Sequence, residues 1–459
     1  MAGTEGSGYC PTPLFGRNAT VMGLGRHGGG VAVTRFLTTQ GARVTITDLR
    51  DEQELAESIE GLSDLTIDKL RLGKHCEEDF READLIIVNP AVRPSNRFVE
   101  IARQSGATIT SEIELFLEYC PARVIGVTGT NGKSTTAAMI AATLKSDGLD
   151  VHLGGNIECS LLPRLDEMTS VSWCVLELSS FQLYWLSDAA RRCDVAVITN
   201  CAANHLDWHD DYIDYRDAKR KILLANGSTT DANEQRVFDP TGALGPTTCD
   251  LTGELDSLPP LHAIGQHNQQ NAALAAVVAQ NVGCSAAAID NGLRNFRPLP
   301  HRLETIARYE NRTFVNDSQA TTPESTIAAL EATGPHCWLL AGGADKGADL
   351  SAMAESVCQN AAGAAFFGQL GPSLLAAVKS IDPNFAGQQF ERLPEAFCWC
   401  VGQSSSGDTV LLSPGCASLD QYRDYAERAA EFRDCIDVLI SEPPAPDLGE
   451  AAAGTTHAI

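Results

Sequence analysis

A loop that combines two glycines, a lysine and a serine lies between a predicted strand at 124–128 and a predicted helix that starts near 135. Glycines allow backbone N–H groups to turn toward phosphate oxygens, and the start of a helix adds the positive end of its dipole. Lys133 can reach the β- and γ-phosphates of a nucleotide, and the Ser134 hydroxyl can bind Mg²⁺. Val127 stands where the strict phosphate-loop pattern requires glycine, so the loop is a variant. The predicted nucleotide-binding residues here are Gly129, Thr130, Asn131, Gly132, Lys133, Ser134 and Thr135.

A second glycine-rich turn lies near the N-terminus, where Gly23, Gly25 and Gly28 follow a predicted strand. Asp48 ends the next predicted strand about 20 residues further on, which is the spacing of a dinucleotide-binding fingerprint. The same backbone geometry suits any diphosphate, so the motif is compatible with NAD and equally with a UDP group. An NAD-dependent oxidoreductase therefore stays open on this motif alone, although it leaves the loop at 129–135 unexplained.

Predicted strands and helices alternate along the whole chain, which indicates α/β domains built on parallel sheets. The pattern restarts near 119 and near 298, so we predict three domains. They are a Rossmann-like domain at 1–118, a central P-loop ATPase domain at 119–298 and a second Rossmann-like domain at 299–441. The tail at 442–459 is rich in Pro, Ala, Gly and acidic residues, which predicts disorder.

The composition favours a cytoplasmic protein that acts on small molecules. The chain has 459 residues and a formal net charge of −25, and a surface this negative repels nucleic acids and anionic membranes. No apolar run is long enough to cross a membrane, and the N-terminal residues lack the pattern of a secretory signal. The 15 cysteines are odd in number and include no Cys-x-x-Cys pair, which predicts reduced thiols rather than disulfides or a zinc site.

Further motifs accompany the loop at 129–135, in a fixed order between about residue 20 and residue 432. Together they resemble the Mur ligase and folylpolyglutamate synthase family, and within it the branch that adds D-glutamate. The motifs are Leu-Glu-Leu-Ser-Ser-Phe-Gln-Leu at 176–183, Asn-His-Leu-Asp at 204–207, Gly-Gln-His-Asn-Gln-Gln-Asn at 265–271, Asn-Asp-Ser-Gln-Ala-Thr at 316–321, Gly-Gly-Ala-Asp-Lys at 342–346 and Leu-Ser-Pro-Gly-Cys-Ala-Ser-Leu at 412–419.

The resemblance implies an ATP-dependent ligase that adds D-glutamate to UDP-N-acetylmuramoyl-L-alanine through an acyl phosphate, in cytoplasmic peptidoglycan precursor synthesis. It implies ATP and two Mg²⁺ ions as cofactors and a protein that works as a monomer. By the same resemblance, Lys133 neutralises the γ-phosphate, while Ser134 and Glu177 hold the Mg²⁺ between the β- and γ-phosphates. His205 helps to hold the second Mg²⁺, and Lys219 stands at the position that is carbamylated in the family, where its oxygens bind metal.

The resemblance also assigns the remaining site residues and implies that the third domain closes onto the nucleotide. Side chains of the third domain would contact the nucleotide and D-glutamate, while those of the first two domains would hold the acceptor and the adenine. The adenine pair is Asn268 and Asn271, the nucleotide contacts of the third domain are Arg302 and Asp317, the acceptor contacts are Gly25, Arg26, His27, Asp48, Asn156, Ser179 and Gln182, and the D-glutamate contacts are Thr321, Lys346, Ser418, Leu419 and Tyr425.

Two alternatives stay open beside this assignment. Gln319 stands where the family commonly has lysine, which removes a positive charge near the predicted phosphate and glutamate sites. A nucleotide-binding homologue that has lost catalysis is therefore one alternative, although Lys133, Glu177, His205 and Lys219 are all present. The other is a family member that acts on a different acceptor or amino acid, although those branches normally lack the motif at 176–183. Taken without the family, Lys219 reads as a solvated helix lysine and His205 as an ordinary polar residue. Glu177 lies between two leucines, where an unpaired acid is costly, so its partner is expected to be a metal ion or another cation.

Overall fold

Three β-sheets with helices on their faces form the three α/β domains of the chain, which confirms the predicted fold class. This computed structural model describes residues 13–26, 28–157, 159–223, 235–244, 249–345 and 347–441. The predicted tail at 442–459 lies outside the described residues, as do His27 and Lys346. The chain divides into two units, and the first contains the first two sheets. The second unit contains the third sheet together with the segment 263–267.

The first sheet has the strand order β3-β2-β1-β4-β5, and all of its pairings are parallel. Strand β1 is central, so the glycine-rich turn that follows it opens at the carboxyl edge of the sheet, where parallel α/β sheets bind ligands. The elements are β1 (Asn18–Met22), α1 (Gly29–Thr39), β2 (Arg43–Thr47), α2 (Ala56–Glu60), β3 (Lys69–Arg71), α3 (Glu77–Arg81), β4 (Leu85–Val88), α4 (Arg97–Gln104), β5 (Thr108–Thr110) and α5 (Glu112–Tyr119).

The second sheet has the order β10-β9-β6-β8-β7 and is also parallel throughout. Strand β6 is central and leads into the predicted phosphate loop, between the ends of β8 and β9. The elements are β6 (Arg123–Thr128), α6 (Lys133–Ser146), β7 (Val151–Gly155), a short 3₁₀ helix (Leu162–Glu167), β8 (Trp173–Glu177), α7 (Ser180–Tyr184), β9 (Val195–Ile198), α8 (Tyr212–Arg220), β10 (Arg236–Phe238), α9 (Thr252–Ser257), α10 (Gln266–Val282) and α11 (Ala286–Asn295).

The third sheet has six strands in the order β11-β12-β16-β13-β14-β15. Strand β11 pairs antiparallel with β12, while the other pairings of this sheet are parallel. Its hairpin turns at Glu310 and Asn311, which both have positive φ. The elements are β11 (Glu304–Tyr309), β12 (Arg312–Asn316), α12 (Pro323–Thr333), β13 (Cys337–Gly342), α13 (Ser351–Asn360), β14 (Gly363–Phe367), α14 (Gly371–Ile381), β15 (Gly387–Gln389), α15 (Leu393–Gln403), β16 (Thr409–Leu412) and α16 (Tyr425–Ser441).

The central strands of each sheet are buried on both faces, which explains their continuous apolar sequences. One hydrophobic core continues from the first domain into the second, and it contains residues from β1, α1, α5, β8 and β9. Within the described ranges, no helix is long and apolar enough to cross a membrane. The exact domain boundaries stay a prediction.

Candidate active site

The predicted phosphate loop connects β6 to α6, and α6 begins at Lys133. Two of its glycines have no room for a side chain. A Cβ at Gly129 would lie 1.9 Å from the Thr199 hydroxyl oxygen, and one at Gly132 would lie 2.5 Å from Asn271 Oδ1. Both glycines also have positive φ, which L side chains rarely adopt. The loop therefore depends on glycine at 129 and 132 for its shape.

The end of strand β9 holds this loop in place before any ligand arrives. Thr199 donates its hydroxyl to the Asn131 carbonyl at 2.5 Å, and Asn200 Nδ2 donates to the same oxygen at 3.0 Å. Asn200 Oδ1 in turn accepts the Asn131 N–H at 3.0 Å. Lys133 Nζ donates to the Thr130 carbonyl at 2.8 Å, so its ammonium group lies over the loop. A loop ordered in this way has little entropy to lose when it closes around a phosphate.

Glu177 is the last residue of β8 and is 2% exposed. Its Oε1 accepts a hydrogen bond from Asn156 Nδ2 at 3.0 Å, and its carbonyl accepts the Asn156 N–H at 2.8 Å. Its Oε2 is buried and has no hydrogen-bond partner among the described residues. A buried carboxylate oxygen without a partner is costly, so Glu177 fits the predicted role of a metal ligand.

Lys219 lies on α8 and is 1% exposed, so the alternative of a solvated helix lysine is wrong. Its Nζ donates to the Gly129 carbonyl at 2.7 Å and lies 4.7 Å from the centre of the Tyr215 ring. Burial lowers the pKa of Lys219 well below its ordinary value, and the positive charge of Lys133 lowers it further. A neutral amine is the form that can react with carbon dioxide, so the environment suits carbamylation.

His205 lies in the loop after β9 with φ of 56°, which is unusual for a residue other than glycine. Its ring packs against Phe181 with the ring centres 4.8 Å apart, while part of the residue stays exposed. Desolvation of the ring, followed by the charge of Lys133, lowers the pKa of His205 below its ordinary value. The imidazole is therefore neutral near pH 7, and the neutral form is the one that binds metals.

The predicted adenine pair, Asn268 and Asn271, lies one helical turn apart on α10, and both residues are buried. Asn271 Nδ2 donates to Asn268 Oδ1 at 3.2 Å, and Asn271 Oδ1 accepts the Thr136 hydroxyl at 3.2 Å. Because Thr136 belongs to the first turn of α6, these contacts bring the pair against the phosphate loop. The described residues include no group of three or more His, Cys, Asp or Glu placed to hold a metal.

Two of the predicted acceptor contacts, Ser179 and Gln182, form the N-terminal cap of α7. The Ser179 hydroxyl accepts the Gln182 N–H at 3.2 Å, and Gln182 Oε1 accepts the Ser179 N–H at 3.0 Å. Gln182 is buried, and its Oε1 also accepts the Ser179 hydroxyl. Both side chains are therefore committed to the helix, and direct contact with the acceptor stays a prediction.

In the first domain, Asp48 closes the glycine-rich turn by accepting hydrogen bonds from two backbone N–H groups. Its Oδ2 accepts from Gly25 at 3.1 Å and its Oδ1 from Arg50 at 2.9 Å. Arg26 forms an ion pair with Glu54 at 3.0 Å, with both side chains about half exposed. Such surface pairs contribute only about 0–1 kcal/mol, so Arg26 can exchange Glu54 for a diphosphate at little cost.

The third domain presents a buried acid at the end of β12. Asp317 Oδ1 accepts the Leu303 N–H at 3.1 Å, and Oδ2 accepts the Ser413 hydroxyl at 2.7 Å. Burial raises the pKa of Asp317 to about 7 despite these hydrogen bonds. Gln319, two residues further on, donates its backbone N–H to the His301 carbonyl at 3.2 Å.

Other predicted residues of this domain have different surroundings. Ser418 is buried and Leu419 is 67% exposed, while Thr321 and Arg302 are partly buried. The Tyr425 ring lies edge-on to His301 with the ring centres 5.8 Å apart. Lys346, the predicted cation for the glutamate carboxylates, lies outside the described residues.

Two buried side chains that the sequence reading missed support the predicted sites. Tyr215 donates or accepts a hydrogen bond with the Thr130 hydroxyl at 2.9 Å and lies under Lys219. Arg428 is fully buried on α16, where it donates to the Ser318 carbonyl at 2.8 Å and to the Cys416 carbonyl at 3.1 Å. Tyr215 and Lys219 are four residues apart on one helix, and this spacing could have placed the two side chains next to each other. No comparable signal marked Arg428.

Three segments of the chain match models of Mur ligase domains, in order along the sequence. Residues 17–111 match the Mur ligase MurD-like N-terminal domain, and residues 127–232 match the Mur ligase middle domain. Residues 301–416 match the Mur ligase glutamate ligase domain. The three matches correspond to the three sheets, since each contains most of the strands of one sheet.

Full-length relatives and solved structures agree with these matches. A UDP-N-acetylmuramoylalanine–D-glutamate ligase of Roseiflexus sp. is 35% identical over 92% of this chain and 99% of its own, and one of Geobacter metallireducens is 32% identical over 93% and 98%. The Thermotoga maritima UDP-N-acetylmuramate-alanine ligase shares the fold with a TM-score of 0.59 at 19% identity, covering 92% of this chain and 99% of its own. A pseudomurein peptide ligase of Methanothermus fervidus has a TM-score of 0.51 at 20% identity, covering 92% and 100%. The chain belongs to the Mur ligase family, and within it to the group of the UDP-N-acetylmuramoylalanine–D-glutamate ligases.

Proposed function

We propose that this protein joins D-glutamate to UDP-N-acetylmuramoyl-L-alanine, with hydrolysis of ATP to ADP and phosphate. One observation carries the proposal. Glu177 is buried, and its Oε2 has no hydrogen-bond partner in the part of the chain that the structure describes. It ends the strand that lies next to β6, which leads into the phosphate loop, and the chain matches such ligases over almost its whole length. A carboxylate in that place fits a Mg²⁺-dependent phosphoryl transfer. Both ATP and the UDP-linked acceptor are found in the cytoplasm, which is where we propose that the protein acts, as a monomer.

The chemistry proposed for this site starts with attack of the acceptor carboxylate on the γ-phosphorus of ATP. The bond between this phosphorus and its bridging oxygen breaks, ADP leaves, and an acyl phosphate forms. Lys133 and the backbone N–H groups of the loop at 129–134 would balance the charge that develops on the phosphate oxygens. Mg²⁺, when bound, would neutralise phosphate charge, with Ser134 and Glu177 as its protein ligands and His205 near a second ion.

The second half of the reaction uses the amine of D-glutamate. The neutral amine attacks the acyl carbon to give a tetrahedral intermediate, its nitrogen gives up one proton to the departing phosphate or to solvent, and the bond from the acyl carbon to the phosphate oxygen breaks as the amide forms. We propose that Thr321, Lys346, Ser418, Leu419 and Tyr425 bind the amino acid, as the family resemblance implies.

We also propose that Lys219 works as its carbamate. The Nζ lone pair would add to the carbon of carbon dioxide and lose one proton, which converts a buried amine into an anionic group with two oxygens. Support comes from its burial, its lowered pKa and its hydrogen bond to the Gly129 carbonyl. A carbamate at this point would add negative charge beside the phosphate loop, as a Mg²⁺ site requires.

Phosphate release from ATP tests the proposed function directly. We expect release that requires Mg²⁺, the acceptor and D-glutamate together, and that stops when any one of them is omitted. Lys133→Ala should abolish it, whereas Lys145→Ala, an exposed lysine in the last turn of the same helix, should leave it unchanged. If wild-type protein binds ATP but releases no phosphate with any glutamate, the proposed activity is wrong and a homologue without catalysis is favoured. If bound nicotinamide absorbance accompanies the purified chain, the glycine-rich turn in the first domain has another ligand.

A further inference from the structure

We propose that His209 is a positioning residue that holds the 204–209 turn, and thereby His205, in the geometry that the reaction needs. The inference rests on the proposed function, because it concerns the role of His205 in that reaction. His209 belongs to none of the nucleotide, metal or substrate contacts described above. It is nevertheless buried in the middle of the elements that carry them, with its side chain fully enclosed.

Both ring nitrogens of His209 have partners on different helices. Nδ1 lies 2.8 Å from Asp214 Oδ2 on α8, and Nε2 lies 3.0 Å from the Ser180 hydroxyl on α7. An acceptor carboxylate at Nδ1 selects the tautomer with hydrogen on Nδ1, so Nε2 accepts a hydrogen bond from the Ser180 hydroxyl. The ring therefore connects the start of α7, next to the predicted acceptor contacts, with the helix that carries Lys219.

The backbone of the same turn holds His205 in a conformation that it would rarely adopt alone. The His205 carbonyl accepts two backbone hydrogen bonds, from the Trp208 N–H at 3.0 Å and from the His209 N–H at 2.9 Å. The His205 N–H donates to the Asn204 side chain at 2.8 Å. A non-glycine residue at φ of 56° persists only where its surroundings determine it, and such residues cluster at functional sites.

Aromatic contacts link the two histidines through one side chain. The Phe181 ring lies 4.8 Å from the His205 ring and 5.7 Å from the His209 ring, and it is stacked on the latter. The Tyr215 and His209 rings form a T-shaped contact with their centres 5.3 Å apart, and the Tyr215 hydroxyl reaches the phosphate loop at Thr130. A shift of His209 would therefore move the surface against which His205 rests.

The turn also contacts the first domain. Trp208 Nε1 donates to the Ala91 carbonyl at 3.1 Å, and the Arg93 guanidinium donates to the Asp207 carbonyl. Ala91 and Arg93 follow β4 in the first domain. They lie close in sequence to Asn89, whose side-chain amide donates to the Gly23 carbonyl in the glycine-rich turn. His209 thus anchors the inner end of a segment whose outer side contacts the predicted UDP-binding domain.

Three substitutions at one position separate the contributions of the ring. An asparagine amide reaches the place of Nδ1 and a glutamine amide that of Nε2, so His209→Asn can keep the Asp214 contact and His209→Gln the Ser180 contact. His209→Leu keeps neither. We expect kcat to fall by about 10–100-fold in His209→Leu, with smaller losses in the other two, as for a misplacement of about 1 Å. The Mg²⁺ concentration for half-maximal rate should rise, while KM for ATP stays within about twofold because the loop at 129–134 keeps its own contacts.

Controls separate positioning from loss of fold and from failure of the proposed function. Rates are measured at a temperature where circular dichroism shows every variant folded, and His336→Gln, whose side chain is 82% exposed, should match wild type. Hydrogen exchange gives a readout without activity, since the Trp208 and His209 amides should exchange faster in His209→Leu than in wild type. Unchanged kcat and Mg²⁺ dependence with an active wild type would overturn the inference alone. An inactive wild type would overturn the proposed function, and unchanged exchange at these amides would then overturn this inference as well.

Discussion

Replacing Glu177 with glutamine is expected to change activity and stability in opposite directions. The carboxylate is 2% exposed, and one of its oxygens has no hydrogen-bond partner in the described part of the chain. Leaving a buried charged acceptor unpaired costs about 1–3 kcal/mol or more in the free protein. A glutamine keeps the shape and can keep the bond from Asn156 to Oε1, while it removes the charge.

The expected gain in unfolding free energy is therefore about 1–3 kcal/mol for the ligand-free protein, since an unpaired amide costs less than an unpaired charge. For a domain of this size, each kcal/mol raises Tm by about 2–4 °C. Activity should fall by at least about 10²–10³-fold in kcat, the loss seen when one electrostatic group is removed from a preorganised site. Function and stability are thus opposed at this position, because the charge that burial disfavours is the one that a metal needs.

The assay combines calorimetric unfolding without nucleotide and phosphate release with saturating substrates. Glu167→Gln is the matched control, since it removes the same charge from a surface ion pair with Arg164 in the same domain. We expect that control to change stability by less than about 1 kcal/mol and to keep full activity. A Glu177→Gln protein that is less stable than wild type, or that keeps wild-type activity, would show that Glu177 is a structural acid with a partner we have not recognised.

Three further predictions follow from the site. Lys219 should give a carbamate signal in ¹³C NMR with labelled bicarbonate, and dialysis against carbon-dioxide-free buffer should lower activity reversibly; no signal and no loss would exclude the carbamate. Burial raises the pKa of Asp317 to about 7, so this carboxyl binds more protons in the folded than in the unfolded state. Its contribution to the free energy of unfolding therefore falls as pH rises from about 4 to 7, by up to about 4 kcal/mol. Asp317→Asn should remove that part of the pH dependence in urea unfolding, and identical slopes would contradict the assignment. Gly132→Ala should abolish ATP binding in calorimetry while the fold persists, because its Cβ would lie 2.5 Å from Asn271 Oδ1; ATP binding within twofold of wild type would refute this.

The sequence predicted the buried parallel strands well, because each is a short apolar run between turn residues. Strand β6, expected at 124–128, and the helix after the phosphate loop are examples. Strands β3 and β15 are three residues long and largely exposed at sheet edges, so they carry no such apolar run. Strand β11 has no regular alternation of buried and exposed positions, so neither its presence nor its antiparallel direction could be read from periodicity.

The candidate site shows the same division. The glycines and the lysine at 129–133 are enough to predict a phosphate loop, because phosphate binding needs these residues close together along the chain. The capping role of Ser179 and Gln182 is also a local pattern, although the family resemblance assigned them to the acceptor. The contacts of His209 and Arg428 depend on residues 29 and 110 positions away, so only the folded chain brings them together.

Competition between the two glutamate enantiomers in one reaction tests most directly whether this protein adds D-glutamate to the acceptor. The full chain is incubated with ATP, Mg²⁺, UDP-N-acetylmuramoyl-L-alanine and equal amounts of ¹³C-labelled D-glutamate and unlabelled L-glutamate. The mass of the product is then measured by mass spectrometry. We expect a product heavier by one labelled glutamyl residue, formed together with an equal amount of phosphate. A product that carries the unlabelled residue, or ATP hydrolysis without any product, would contradict it.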